Sequence, residues 1–197
     1  MGFKICTVNN ILCPQTLDRS EDKLASTAGS GGSMPAGHRQ CTIEVTNKSS
    51  HYTLCYVGVY INSGFCATPL PLKIKPSSSG NALFSKTGGT VRGAVGVFTY
   101  DLYNKSKGQT AGRIAVMFSV PFNFNLYDNW YAVGVFEKSR ACNYDLYYQM
   151  YYYTGNMFTR EIAGNGIERM NGPVAITASM TNSYQPILSL EVRDNLS

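Results

Sequence analysis

Residues 114–136, IAVMFSVPFNFNLYDNWYAVGVF, constrain the fold more than any other stretch of the chain. The run 114–120 has the length and β-branched content of a buried strand. Pro121 ends it, because proline brings no N–H to a ladder. Residues 131–136 read as the return strand. The loop between them mixes the turn formers Asn123, Asn125, Asp128 and Asn129 with Phe122, Phe124, Leu126, Tyr127 and Trp130, the single tryptophan. Loops normally run over the surface. A surface loop half made of aromatic rings either meets something greasy but partly wet, such as a membrane interface, or folds back to cap the core. Both readings stand on the loop alone.

The rest of the chain supplies more strands. Residues 40–47 alternate apolar and polar, and 53–61 form a second strand ended by Asn62, Ser63 and Gly64. Residues 70–75, between prolines, read as an edge or a loop. A short strand is expected at 81–85 and a long one at 90–102, where Gly93 and Gly96 suggest a bulge or a close backbone approach. Residues 104–112 read as a polar loop. Two further strands fall at 174–180 and 187–193. Between 140 and 153 the period changes. Tyr144, Tyr147, Tyr148, Tyr151 and Tyr152 lie at i, i+3, i+4, i+7 and i+8 behind a cap at Asn143, one face of a helix. The expected class is mainly β: a compact β-sandwich flanked by one or two short α-helices.

Residues 1–38 lack steady periodicity and read as a largely disordered N-terminal arm. A short helix is expected at 20–28, then linker composition through Gly37. Residues 39–197 form the β-sandwich domain. No apolar run reaches the roughly 20 residues of a spanning helix. The N-terminus has no sustained apolar segment of the kind a signal peptide carries. The net charge of +5 is mild and scattered, and does not point to nucleic acid. The six cysteines include no CxxC pair and only His38 and His51 could join them, so the spacing does not suit zinc. The thiols read as reduced and mostly buried, with a disulfide such as Cys41–Cys55 between neighbouring strands left open. No histidine sits near a nucleophile motif, so catalysis and a cofactor have no support.

The tyrosine face has two readings. It docks a helix through its aromatic side, with each hydroxyl finding a partner. Alternatively it forms a cage for a quaternary ammonium such as choline, held by the ring quadrupoles.

The residues MFSVPFNFNLYDNWYAVGVF followed by LYYQMYYY, with RGAVGVFTYDL and VYINSG upstream, resemble the actinoporins, the pore-forming cytolysins of sea anemones and their relatives in other animals. The resemblance runs from about residue 39 to the C-terminus. It implies a β-sandwich shared with some fungal lectins, binding to phosphocholine headgroups with a preference for sphingomyelin, oligomerisation on the membrane, and insertion of an N-terminal amphipathic helix into a cation-conducting pore. It also implies release as a soluble monomer that acts on a target cell membrane; without a visible signal peptide, cytoplasmic storage is the other expectation. Position by position it implies a phosphocholine site of Ser63, Val95, Ser119, Pro121, Tyr127, Tyr147, Tyr151 and Tyr152, and a membrane interface of Phe124, Leu126, Trp130 and Tyr131. The family's first loop tryptophan is Leu126 here. Its RGD tripeptide is absent, with Thr159, Arg160 and Glu161 nearby, and the glycine-rich arm departs from the pore-lining helix. The alternative is a peripheral lipid- or glycan-binding module that keeps the headgroup site without an effective pore-lining helix.

Overall fold

A computed structural model describes residues 38–195. In chain order it contains β1 (Gln40–Asn47), β2 (Tyr52–Ser63), β3 (Phe65–Thr68), β4 (Ser78–Ser85), β5 (Ala94–Asn104), β6 (Gln109–Val120), β7 (Trp130–Phe136), α1 (Tyr144–Tyr152), β8 (Phe158–Ile162), β9 (Gly166–Asn171), β10 (Val174–Met180) and β11 (Ile187–Asp194). They form two sheets, ordered β3-β4-β1-β11-β10-β9 and β2-β5-β6-β7-β8. All ladders are antiparallel except β1 with β11. The expected sandwich is present, with one short helix among the described residues. The arm, its helix at 20–28 and Cys6 and Cys13 lie outside those residues, apart from His38.

Alternation along β5, β6 and β7 explains their near-continuous apolar runs. Phe98, Val116, Phe118, Tyr131, Val133 and Val135 point into the core between the sheets. The intervening Val97, Ala115, Met117, Ala132 and Phe136 form a second cluster on the outer face, under Leu146, Tyr147 and Met150 of α1. A strand buried on both faces needs apolar residues at every position. The helix begins where Asn143 accepts the Leu146 N–H at 3.1 Å. Arg140 reaches along it to Gln149 Oε1 at 2.8 Å. The Arg140 carbonyl in turn accepts from Arg113, which pairs with Asp101 at 2.6 Å. Four of the five tyrosines on α1 remain at least partly open to solvent; Leu146, Tyr147 and Met150 are the residues that dock it.

Several expectations are corrected. Residues 90–93 precede β5, because Gly93 packs against the end of β6: a Cβ there would lie 1.9 Å from the Val120 carbonyl oxygen. Asn104 belongs to β5 and residues 109–112 to β6, so the polar loop is only 105–108. The unanticipated strands β3, β8 and β9 are all sheet edges. Edge strands bury little and carry polar residues, so their pattern is weak. The reading of reduced, buried thiols holds at Cys41, and because Cys41 and Cys55 stand on different sheets the pair forms no disulfide.

Tyr131 is also corrected. It is fully buried and its hydroxyl donates within the core to the Asn165 carbonyl at 2.5 Å, with the Ala178 carbonyl at 3.2 Å. It therefore does not face a membrane. Burial, aided by Glu161, pushes its phenol up to about 12. A phenol raised above its unfolded value of about 10 stabilises the fold fully below that pH and loses the contribution as pH climbs towards 12. Urea midpoints at pH 9 and pH 11 should therefore fall more steeply in the wild type than in Tyr131→Phe. Parallel slopes would show that Tyr131 does not carry this pH dependence.

Candidate functional site

One end of the second sheet brings several expected residues into a single row. The register pairs Ser63 with Val95, Val95 with Ser119, and Ser119 with Trp130. Side chains two apart share a face, so Val95, Ser119 and Trp130 belong to the face of Val97, Met117 and Ala132, the one that α1 covers. The helix comes down beside this row. Val95 and Tyr151 pack against the same cluster that contains Tyr147. The Tyr147 and Tyr151 rings stack with centres 5.7 Å apart, and Tyr151 meets Tyr152 edge-on at 4.7 Å. Tyr60 closes the other side of Tyr147 at 6.1 Å, and Asn62 Nδ2 donates to the Tyr147 hydroxyl at 3.4 Å. Burial pushes the Tyr147 phenol well above its usual range, with Tyr151, Tyr152, Tyr144 and Tyr60 adding to the effect.

Ser63 donates its hydroxyl proton to the Gly93 carbonyl at 2.9 Å, so this hydroxyl is left as an acceptor rather than a donor. Ser119 is buried beside Pro121 at the strand end. Tyr127 is 65% exposed on the loop, and its ring meets no other aromatic ring among the described residues. The register and the helix thus gather Ser63, Val95, Ser119, Tyr147, Tyr151 and Tyr152; Tyr127 stands apart.

The loop divides between its two readings. Phe124 folds back between the Arg39 guanidinium, 5.0 Å from its ring centre, and the Tyr184 ring. Phe122 lies under the Lys86 ammonium at 4.7 Å. Asn123 folds the tip by accepting the Leu126 and Tyr127 N–H groups on its carbonyl and the Asn125 N–H on its side chain. That turn leaves Leu126 71% exposed beside Tyr127. Trp130 is half-buried, with Arg160 stacked on its ring. The exposed apolar and aromatic side chains of the loop are Leu126 and Tyr127 at its tip and, less so, Phe122.

Two arginines have roles that the pattern of the sequence does not mark. Arg160 stands among the aromatic rings of the site. Arg39 is fully buried at the entrance to β1. Its Nε donates to the Pro121 carbonyl at 2.7 Å, Nη2 to Asn129 Oδ1 at 2.6 Å, and Nη1 to the Tyr184 carbonyl. Asn129, also buried, donates onward to the Ser183 carbonyl at 2.8 Å. Arg39 therefore ties both ends of the aromatic loop to the β10–β11 connection. Its partners lie 82 to 145 residues away in sequence, beyond any local signal. A separate depression of about 480 Å³ opens on the outer face of the first sheet, bordered by Glu44, Thr46, Glu168, Thr177, Ser189 and Glu191, and contains none of the expected residues.

Replacing Arg39 by methionine keeps the bulk but leaves three oxygens without their donor. Arg39→Met should cost about 3 kcal/mol of stability and loosen the loop. Chemical denaturation measures the first effect and amide exchange at Tyr127–Asp128 the second. A variant as stable as wild type would show that the clamp is dispensable.

Comparison with known proteins agrees with this architecture. Residues 31–191 match the family described as sea anemone cytotoxic protein. The chain is 35% identical over 132 residues to deep-sea actinoporin Cjtox I of Cribrinopsis japonica, covering 67% of this chain and 54% of that one. It is 31% identical over 144 residues to Bryoporin of Physcomitrium patens, covering 72% of this chain and 77% of that one. The match to DELTA-alicitoxin-Pse1b of Phyllodiscus semoni, at 35% over 114 residues, covers 57% of this chain and 47% of the toxin, so the chain spans only about half the length of some relatives. In structure it is similar to the lipid binding protein Nakanori, with a TM-score of 0.60 at 14% identity over 78% of this chain and 70% of that one, a likeness of fold alone. The chain belongs to the sea anemone cytotoxic protein family, the actinoporins.

Proposed function

We propose that this chain is a membrane-binding, pore-forming cytolysin that recognises phosphocholine headgroups, sphingomyelin among them, and oligomerises on the bilayer into cation-conducting pores. The observation that carries the proposal is the meeting of the row Ser63, Val95 and Ser119 with the rings of Tyr147, Tyr151 and Tyr152 at one end of the sheet, beside an exposed loop tip. Neutral tyrosine rings attract a quaternary ammonium, and the hydroxyls of Ser119 and the tyrosines, unlike that of Ser63, can donate to the adjoining phosphate. Pro121 and Tyr127 border this site in the proposal, with Leu126 nearest the bilayer and Phe124 and Trp130 behind it. The relatives' names, actinoporin and Bryoporin, support the pore-forming class. In this reading the protein is released in soluble form and acts on a target membrane.

The headgroup site is tested by calorimetric titration with phosphocholine. A folded Tyr151→Ala and Tyr152→Ala double variant should bind roughly tenfold more weakly, since each exposed cation–π contact is worth about 0.5–1 kcal/mol. Equal binding by the variant and wild type would contradict the cage.

The proposal divides labour along the chain: residues 39–197 bind and residues 1–38 permeabilise. No helix among the described residues is long and apolar enough to cross a membrane; the nine residues of α1 reach about 14 Å against a hydrocarbon core of roughly 30 Å. A protein lacking residues 1–38 should melt cooperatively, float with sphingomyelin–phosphatidylcholine vesicles as the full chain does, and release no dye. Dye release equal to that of the full chain would refute the division. The glycine-rich 26–37 segment favours the second reading, a peripheral binding module, which predicts flotation without leakage for the full chain as well.

A further inference from the structure

The aromatic site already contains a cation. The Arg160 guanidinium carbon lies 3.8 Å from the Trp130 ring centre and 5.5 Å from that of Tyr151, so it joins the strand row to the helix. Its backbone pairs with Ala132, which puts it on the helix-bearing face of β8. The Nε atom is buried and meets no protein acceptor. Among the described residues no carboxylate lies within ion-pair distance of this guanidinium. The neighbouring Glu161 accepts instead from the Ile162 N–H and from Asn165 Nδ2.

A guanidinium is permanently charged, and its five N–H donors lie in one plane. Trp130 against one face leaves the Nη edge of that plane for an oxyanion, and a fork of this kind matches phosphate bidentately. A second cation placed on Tyr151 would stand near the guanidinium and be repelled by it. Ser63, with its proton committed to Gly93, does not supply the phosphate donor.

We infer that Arg160 is the specificity-determining residue of this site. It takes the phosphate of a lipid headgroup, and that contact outweighs those of the rings with the quaternary ammonium. The inference rests on the headgroup reading above and changes which half of the headgroup is read: phospholipids that expose phosphate without choline belong to the ligand class too.

Trp130 is the only tryptophan and lies against Arg160, so its emission, read alongside calorimetry, reports ligand arrival there. The full chain would be titrated with phosphocholine, inorganic phosphate and choline chloride at constant ionic strength. Phosphate should bind no more than about tenfold more weakly than phosphocholine, and choline more weakly than phosphate by about tenfold. Arg160→Gln should weaken phosphocholine binding about tenfold. Arg160→Lys keeps the charge but neither the planar stacking nor the fork, and should fall between; it carries the test if Arg160→Gln fails to melt cooperatively. Flotation separates a lipid source from free phosphate: wild type, and not Arg160→Gln, should float with vesicles containing phosphatidic acid. Choline binding as tight as phosphocholine, or wild-type affinity in both Arg160 variants, overturns the inference while leaving the headgroup site in place. A wild type that binds neither phosphocholine nor phosphate removes the headgroup site and this inference with it.

Discussion

The structure depends on the burial of both faces of one sheet. The middle strands β5, β6 and β7 face the other sheet on one side and α1 on the other. Burying large apolar side chains contributes roughly 1.5–3 kcal/mol each, so Leu146 and Met150 fasten the helix firmly although it has only nine residues. The cover is partial, however. The helix leaves the end of the sheet around Ser63, Val95, Ser119 and Trp130, and there the apolar outer face passes into hydroxyls, an indole and a guanidinium. The site is the margin of the second core, which is why it is aromatic and polar at once.

Three regions far apart in sequence meet at that margin through buried polar contacts. Arg39 holds the loop ends at Pro121 and Asn129 and the turn at Tyr184. A buried guanidinium is costly unless its donors are used, and this one is bonded through all three nitrogens. Its burial lowers its proton affinity without removing its charge. The loop is therefore held at both ends while its tip, Leu126 and Tyr127, stays open to solvent. Such a loop can present two side chains to a surface without reorganising its base.

Much of this was legible in the residues. The hairpin, the Asn143 cap and the tyrosine-bearing helix follow from period and capping chemistry, and the motif around residues 117–136 carried the family. The fate of Tyr131 was legible too, because Tyr131, Val133 and Val135 alternate with Trp130, Ala132 and Gly134, and only one set can face outward. The family resemblance, taken position by position, sets Tyr131 at the membrane interface against that alternation. The edge strands β8 and β9 were hidden by their charges. The two arginines were invisible for a different reason: what distinguishes Arg39 and Arg160 from other surface-type residues is the set of groups that topology brings to them. Nothing local records that Arg39 meets Tyr184, or that Arg160 meets Trp130.

The central claim is one of place: the ligand site lies at the helix-covered end of the second sheet. The most direct measurement is amide and indole NMR shift mapping of the full chain titrated with phosphocholine. The account predicts perturbations at Ser63, Val95, Ser119, Tyr151, Arg160 and the Trp130 indole, with the depression around Glu44, Thr177 and Glu191 silent. Shifts concentrated on that depression, with the Trp130 indole unmoved, would contradict it.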